Sequence, residues 1–171
     1  AIIYGIGRFA EYVSYVISND SNYEIVGFCM EQKLKGSDGE FSGLPLVAFE
    51  TVANVFCPKD HKIFIAVGEN SIRAQKFQQA IEKGYSLLSY ISSKSNVWDD
   101  LTYGQNVFVS EDSVIQPYVT IGDNSLLIGA RVAHHSVIGK NSLLSGCLIG
   151  GSVVIGNNCF LGLNTTVKQG V

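Results

Sequence analysis

Proline is nearly absent from this chain, and charge is sparse. Three prolines stand among 171 residues, and Asp, Glu, Lys and Arg together make up only 16%. With 46% hydrophobic residues and no low-complexity tract, so low a charge fraction excludes intrinsic disorder. No basic stripe exists and the net charge is −3, which excludes nucleic-acid binding by phosphate neutralisation. No apolar run approaches the roughly 18 residues that span a bilayer, and no signal peptide is visible. The expected setting is therefore cytoplasmic, without a membrane partner. Cys29, Cys57, Cys147 and Cys159 form no CxxC pair, and His61, His134 and His135 complete no zinc-ligand spacing. No metal is expected, and the thiols read as reduced and mostly buried. Glycine is plentiful at 18 residues, as suits a chain with many tight corners.

Two periodicities divide the sequence. In the first half strands alternate with helices. Ile2-Ile3-Tyr4 is a short apolar strand, and Phe9, Val13 and Val16 follow at helical spacing. Tyr23 to Met30 is a second strand, Leu44 to Val47 an extended segment, and Phe49 to Phe56 a short helix closed by Pro58. Lys62 to Val67 is a fully apolar strand. Asn70 reads as the cap of a helix carrying Ile72, Phe77, Ala80 and Ile81, which Gly84 ends. Ser86 to Ile91 reads as a last strand. Such alternation predicts a small, open, Rossmann-like parallel α/β domain over residues 1–92.

From about residue 95 the helical period vanishes and a repeat takes over. Tyr103-Gly-Gln-Asn, Ile121-Gly-Asp-Asn, Ile138-Gly-Lys-Asn and Ile155-Gly-Asn-Asn start 18, 17 and 17 residues apart. Five residues after each start stands a large apolar side chain: Phe108, Leu126, Leu143 and Phe160. Aliphatic residues recur at roughly six-residue steps within each unit, which predicts a triangular parallel β-helix over residues 93–171. Its corners fall at Gly and Asn, which tolerate positive φ. Each 17-residue step lacks one residue of a full coil. The two short coils flank His134-His135 and Gly150-Gly151, which makes that region the place to look for a site.

Gly5-Ile-Gly7-Arg8-Phe-Ala10, the small α/β domain, and coils carrying HHSVIG and GGSVVIGNNCFLGLN together resemble the bacterial sugar acetyltransferases. The likeness is to the sialic acid O-acetyltransferase type, a group that includes N-acetyltransferases of nucleotide-linked amino sugars. The resemblance implies left-handed hexapeptide coils, a homotrimer, and acetyl-CoA as acyl donor in the groove between neighbouring β-helices. An open coil end would expose a sheet edge and an apolar core, so the coils are expected to continue beyond Val171. The resemblance puts the general base on His134, since an imidazole can take the proton that a sugar amine or hydroxyl loses on attacking a thioester. Relatives often carry a carboxylate next, where this chain has His135. Either another carboxylate, such as Glu111 or Asp123, orients the base, or it works without one. Gly151, with Gly150 beside it, corresponds to a glycine whose N–H meets the acetyl carbonyl and whose bareness admits the CoA arm. Gly5, Gly7 and Arg8 would receive the diphosphate of the sugar nucleotide. Glu31 is placed for a ribose, and Arg73 is a second candidate phosphate partner. The implied function is acetyl transfer to a nucleotide-linked amino sugar for surface glycan synthesis. O-acetylation of sialic acid or another free sugar is the alternative, and a non-catalytic trimeric nucleotide-binding module the alternative of another class. A dinucleotide oxidoreductase is discounted because the α/β domain is too small.

Overall fold

The computed structural model describes residues 1–171 and divides into two compact units, Ala1–Leu88 and Ser89–Val171. The first holds β1 (Ile2–Tyr4), α1 (Arg8–Asn19), β2 (Gly27–Met30), α2 (Gln32–Lys35), β3 (Glu40–Phe41), β4 (Leu44–Ala48), β5 (Ile63–Ile65) and α3 (Asn70–Glu82). A 3-10 turn at Phe49–Asn54 follows β4. The sheet runs β3-β4-β2-β1-β5. All its pairings are parallel except that of β3, which folds back on β4 through a two-residue turn, Ser42-Gly43, with both φ positive. β1 and β5 lie side by side in the parallel core, so the loops leaving their C-terminal ends face one another. The strands are short apolar runs because both faces of the sheet are covered: Ile2, Ile3, Ile63, Phe64 and Ile65 are fully buried.

Three expectations change here. The helix-capping side chain is Glu69, not Asn70: its carboxylate accepts from the N–H groups of Ser71 and Ile72. The buried face of α3 holds Arg73, Lys76 and Ala80, while Ile72 and Ile81 are exposed. Ser86 to Ile91 is also not one strand. Leu87 makes a single bridge to Ile63, and Tyr90–Ile91 instead opens the second unit by pairing with Phe108–Val109.

The second unit is the expected stack of parallel coils. One flat face stacks Asn96–Val97, Val114–Ile115, Arg131–Val132, Leu148–Ile149 and Thr166–Val167. A second stacks Thr102–Tyr103, Thr120–Ile121, Val137–Ile138 and Val154–Ile155, and a third begins at Tyr90–Ile91 and ends at Phe160–Leu161. Strand alternation sends Ile121, Ile138 and Ile155 inward with Val109, Leu127 and Leu144, and all six belong to one buried cluster. Each such side chain contributes about 2 kcal/mol by leaving water. The asparagine of each IGxN corner has a second task. Asn106 donates through Nδ2 to Asn124 Oδ1, and Asn124 in turn to Asn141 Oδ1, both at 2.8 Å. All three sit at φ between 53° and 59°, which asparagine accepts more readily than a branched residue.

The missing residue of each short coil lies at another corner than the histidines. Left-handed corner residues recur every six positions, except from Asn124 to Gly129 and from Asn141 to Gly146, where five suffice. The strands before those glycines, Leu126–Ile128 and Leu143–Ser145, run to three residues and end directly in a glycine turn.

Candidate active site

Five segments stack at the edge where the first two flat faces meet: Asp99-Asp100, Gln116-Pro117-Tyr118, Ala133-His134-His135, Gly150-Gly151-Ser152 and Lys168-Gln169-Gly170. His134 and His135 are exposed in the middle of this column. The coil before them holds both backbones. The Gln116 side-chain oxygen accepts the His134 N–H at 3.0 Å, and the Pro117 carbonyl accepts the His135 N–H at 3.1 Å. His135 takes φ +59°, and its ring lies 4.6 Å from that of Tyr118, itself at φ +63°. The two imidazoles meet edge to face, with their Nδ1 atoms 3.1 Å apart.

The coil after them explains Gly151. A Cβ there would stand 2.8 Å from Cε1 and 3.0 Å from Nε2 of His134, so any side chain would displace the imidazole. Gly151 is buried, yet its N–H finds no acceptor within the chain. The reason is readable one coil back. Where Gln116 supplies an oxygen to the His134 N–H, the equivalent residue for Gly151 is Ala133, which has only a methyl. An unspent N–H therefore belongs to the residue packed directly against the exposed His134 imidazole. Such a pair can take a proton from a nucleophile while holding the oxyanion it creates. Gly150 keeps its glycine for another reason: a Cβ would strike the Gln169 backbone at 2.6 Å.

Neither carboxylate raised as a partner for the base has that part. Asp123 lies at the IGxN corner, where it accepts from the Gln105 N–H and pairs with Lys140 at 2.8 Å. Burial pushes its carboxyl up, but the Lys140 hydrogen bond and the backbone N–H outweigh that and hold it below the ordinary range. Glu111 belongs to the third corner of the prism, before the Val114–Ile115 strand. The group that meets His134 Nδ1 is His135.

In the α/β unit, the loops after β1 and β5 carry the other expected residues. Gly5 has φ +129°, and a Cβ there would lie 2.9 Å from the Ala66 carbonyl oxygen, so the fold itself demands this glycine. Gly7 differs: its φ is ordinary and nothing lies within 4 Å of an added Cβ. Gly7 and Arg8 are both exposed at the start of α1, and no side chain caps that helix. The neighbouring N-terminus, that of α3, is closed to anions by Glu69, whose carboxylate the backbone N–H groups and Ser71 hold below its usual range. Of the two helix ends, α1 is the one that can receive a phosphate.

Arg73 does not face solvent beside it. Its guanidinium is fully buried and donates to the carbonyls of Val67 and Gly68 and to Asn70 Oδ1, which fixes the loop between β5 and α3. Burial pulls its pKa down to about 10, with Glu69 opposing. It is a loop-positioning residue, and the expectation of a phosphate contact gives way to that. Glu31 follows β2 and is likewise engaged, by the Lys76 ammonium and the Tyr4 hydroxyl. Burial alone would raise its carboxyl. Those two groups and its own backbone N–H together bring it below the ordinary carboxylate range. Lys76 is 7% exposed and went unnoticed in the sequence, where a lysine on a helix reads as solvated. Glu31, Glu50, Lys76, Lys83 and Phe49 line a cleft beside this pair. No group of three or more His, Cys, Asp or Glu side chains gathers anywhere to hold a metal.

Residues 1–80 match the family model of the PglD N-terminal domain. No curated protein matches the chain. Among solved structures, one similar to it is GDP-perosamine N-acetyltransferase from Caulobacter crescentus, a histidine-to-alanine mutant in complex with CoA and GDP-perosamine. The TM-score is 0.84 at 24% identity, over 99% of this chain and 80% of that one. The acetyltransferase domain of PglB from Neisseria gonorrhoeae FA1090 aligns with TM-score 0.79 at 21% identity, over 97% and 89%. Its complex with acetyl coenzyme A aligns at 0.76 and 20%, over 99% and 92%. The α/β unit followed by parallel coils is thus a fold this chain shares with these acetyltransferases over nearly its whole length.

Proposed function

We propose that this chain moves the acetyl group of acetyl-CoA onto the amine or hydroxyl of a bacterial sugar, a nucleotide-linked amino sugar above all. The observation that carries the reading is the pairing of the exposed His134 imidazole with the unspent Gly151 N–H. A stack of coils serving only as scaffold needs neither. The sugar nitrogen attacks the thioester carbonyl while His134 Nε2 accepts its proton. The carbonyl oxygen becomes an oxyanion facing the Gly151 N–H. Collapse breaks the carbon–sulfur bond, and the protonated His134 returns the proton to the departing CoA thiolate. Atoms and charge balance without a metal or a covalent enzyme intermediate.

The acceptor's nucleotide is assigned to the start of α1, where the open amides, Gly7 and Arg8 favour a diphosphate. That assignment favours a nucleotide-linked sugar over a free one. The family match of residues 1–80 and the similar structures, complexes with GDP-perosamine and with acetyl coenzyme A, support the same substrate classes. Assembly as a homotrimer belongs to the reading. Leu148, Val137 and Val154 are 49%, 41% and 65% exposed on the two faces that meet at the histidine column, and a neighbouring copy would cover them. The test is release of CoA thiol in the presence of acetyl-CoA and a panel of nucleotide-linked amino sugars, with free sialic acid alongside. Turnover with at least one nucleotide-linked amino sugar is expected. Turnover with sialic acid alone would move the acceptor to the free-sugar class, and none with any sugar would remove the reading.

A further inference from the structure

The geometry points to His135 as a neutral acceptor that sets the tautomer of His134, with Tyr118 on the preceding coil as the residue that positions it. This inference rests on the reading of His134 as the base and names how this chain serves that base without a carboxylate.

Two imidazole Nδ1 atoms stand 3.1 Å apart. If both carried a proton, the hydrogens would clash; if neither did, two lone pairs would repel. One ring must donate and the other accept. The donor is His134, because donation through Nδ1 leaves its Nε2 bare for the substrate proton, on the ring edge that lies over Gly151. His135 then carries its own proton on Nε2 and offers Nδ1 as acceptor. When His134 gains the substrate proton, its Nδ1–H still donates to a neutral His135. A second proton on the pair would put two like charges in contact, which the 3.1 Å spacing disfavours. Within the column, the titratable rings against His135 are His134 and Tyr118, and the Asp100 carboxylate is occupied by the Tyr118 N–H at 2.6 Å. That bond holds Tyr118 in its left-handed corner, and the Tyr118 ring holds the plane of His135. A carboxylate partner would both orient and charge-stabilise the imidazolium; His135 does only the first.

The tautomers are read directly by long-range proton–nitrogen correlation spectra of the full chain with 15N-labelled histidine. His61→Gln, His134→Gln and His135→Asn variants assign the three rings. The expected pattern is Nδ1–H for His134 and Nε2–H for His135, without substrate present. The reverse pattern overturns the proposal whether or not acetyl transfer is observed.

Variants separate ring from acceptor, with acetyl-CoA and the best nucleotide amino sugar of the panel as probes. His135→Asn keeps an acceptor at the Nδ1 position in a residue that suits a left-handed corner. It should hold kcat within about fivefold, whereas His135→Phe, which keeps the ring and loses the acceptor, should lose about 10–100-fold in kcat with both KM values unchanged. His135→Asp adds the missing charge and should move the acid limb of kcat/KM about one unit to higher pH. Tyr118→Phe should match the wild type, while Tyr118→Asn should lower kcat several-fold. Equal loss in His135→Asn and His135→Phe, or an unmoved acid limb in His135→Asp, would contradict the assignment.

Discussion

At the scale of single residues, the glycines divide by what each keeps clear. Gly5 clears a carbonyl and Gly151 clears an imidazole, but Gly7 clears nothing that belongs to the α/β unit. A residue kept bare with open space above it, at an uncapped helix start, leaves room for a ligand. Gly7→Val should therefore fold and yet raise KM for the nucleotide sugar about tenfold or more, because its branches would meet the diphosphate. KM for acetyl-CoA should stay put. Steady-state kinetics with each substrate varied in turn checks this, and a rise confined to acetyl-CoA would mean the two sites are reversed. Gly5→Val should instead fail in folding, visible as loss of the cooperative thermal transition. The pattern GxGxxA was legible in the sequence, but the different reasons for its glycines were not. They depend on Ala66, sixty residues away, approaching one of them.

At the scale of elements, α3 and the IGxN corners show what periodicity reveals and what it hides. The repeat located the asparagine corners correctly because the step is carried by the same residue types in every coil. It could not show that the asparagines bond to one another along the stack, since that needs the coil register. Asn124 both donates and accepts in this ladder. Asn124→Ala should cost about 2–3 kcal/mol, from orphaned amides in its neighbours and a left-handed corner without asparagine; urea denaturation measures it. On α3 the hydrophobic pattern misled, because Ile72 and Ile81 face outward while Arg73 and Lys76 are buried. Their partners, two loop carbonyls and Glu31, come from other elements, and no local pattern announces them. Lys76→Met should destabilise the α/β unit by a few kcal/mol near neutrality, because Glu31 keeps the Tyr4 hydroxyl but loses its opposing charge. The pH dependence follows from the lowered Glu31 carboxyl. Its contribution is present above the ordinary carboxylate range and is lost as pH falls through the folded-state value. The gap between wild type and variant should thus narrow on acidification, and a gap constant with pH would contradict the ion pair.

At the scale of the whole molecule, the histidine column is exposed along one edge of the prism, with apolar side chains on both adjoining faces. A trimer in solution is the expected arrangement, and light scattering at micromolar concentration checks it; a monomer would contradict a site shared between copies. The two-part fold was legible because its halves obey different periods. The histidine column was legible through the short coils around it and the family resemblance of HHSVIG, since nothing local distinguishes a catalytic corner from a solvated one. The free Gly151 amide became visible once Ala133 was seen to lie where Gln116 lies a coil earlier. The central claim is that His134 removes the acceptor's proton. The measurement that tests it most directly is kcat of His134→Ala with acetyl-CoA and the best nucleotide amino sugar, with thermal transition and oligomeric state checked in the same preparation. The account predicts a loss of about 10²–10⁴ in kcat, with folding and assembly intact, the usual worth of a positioned acid–base group. A folded variant turning over at the wild-type rate would take His134, and with it the proposed chemistry, out of the molecule.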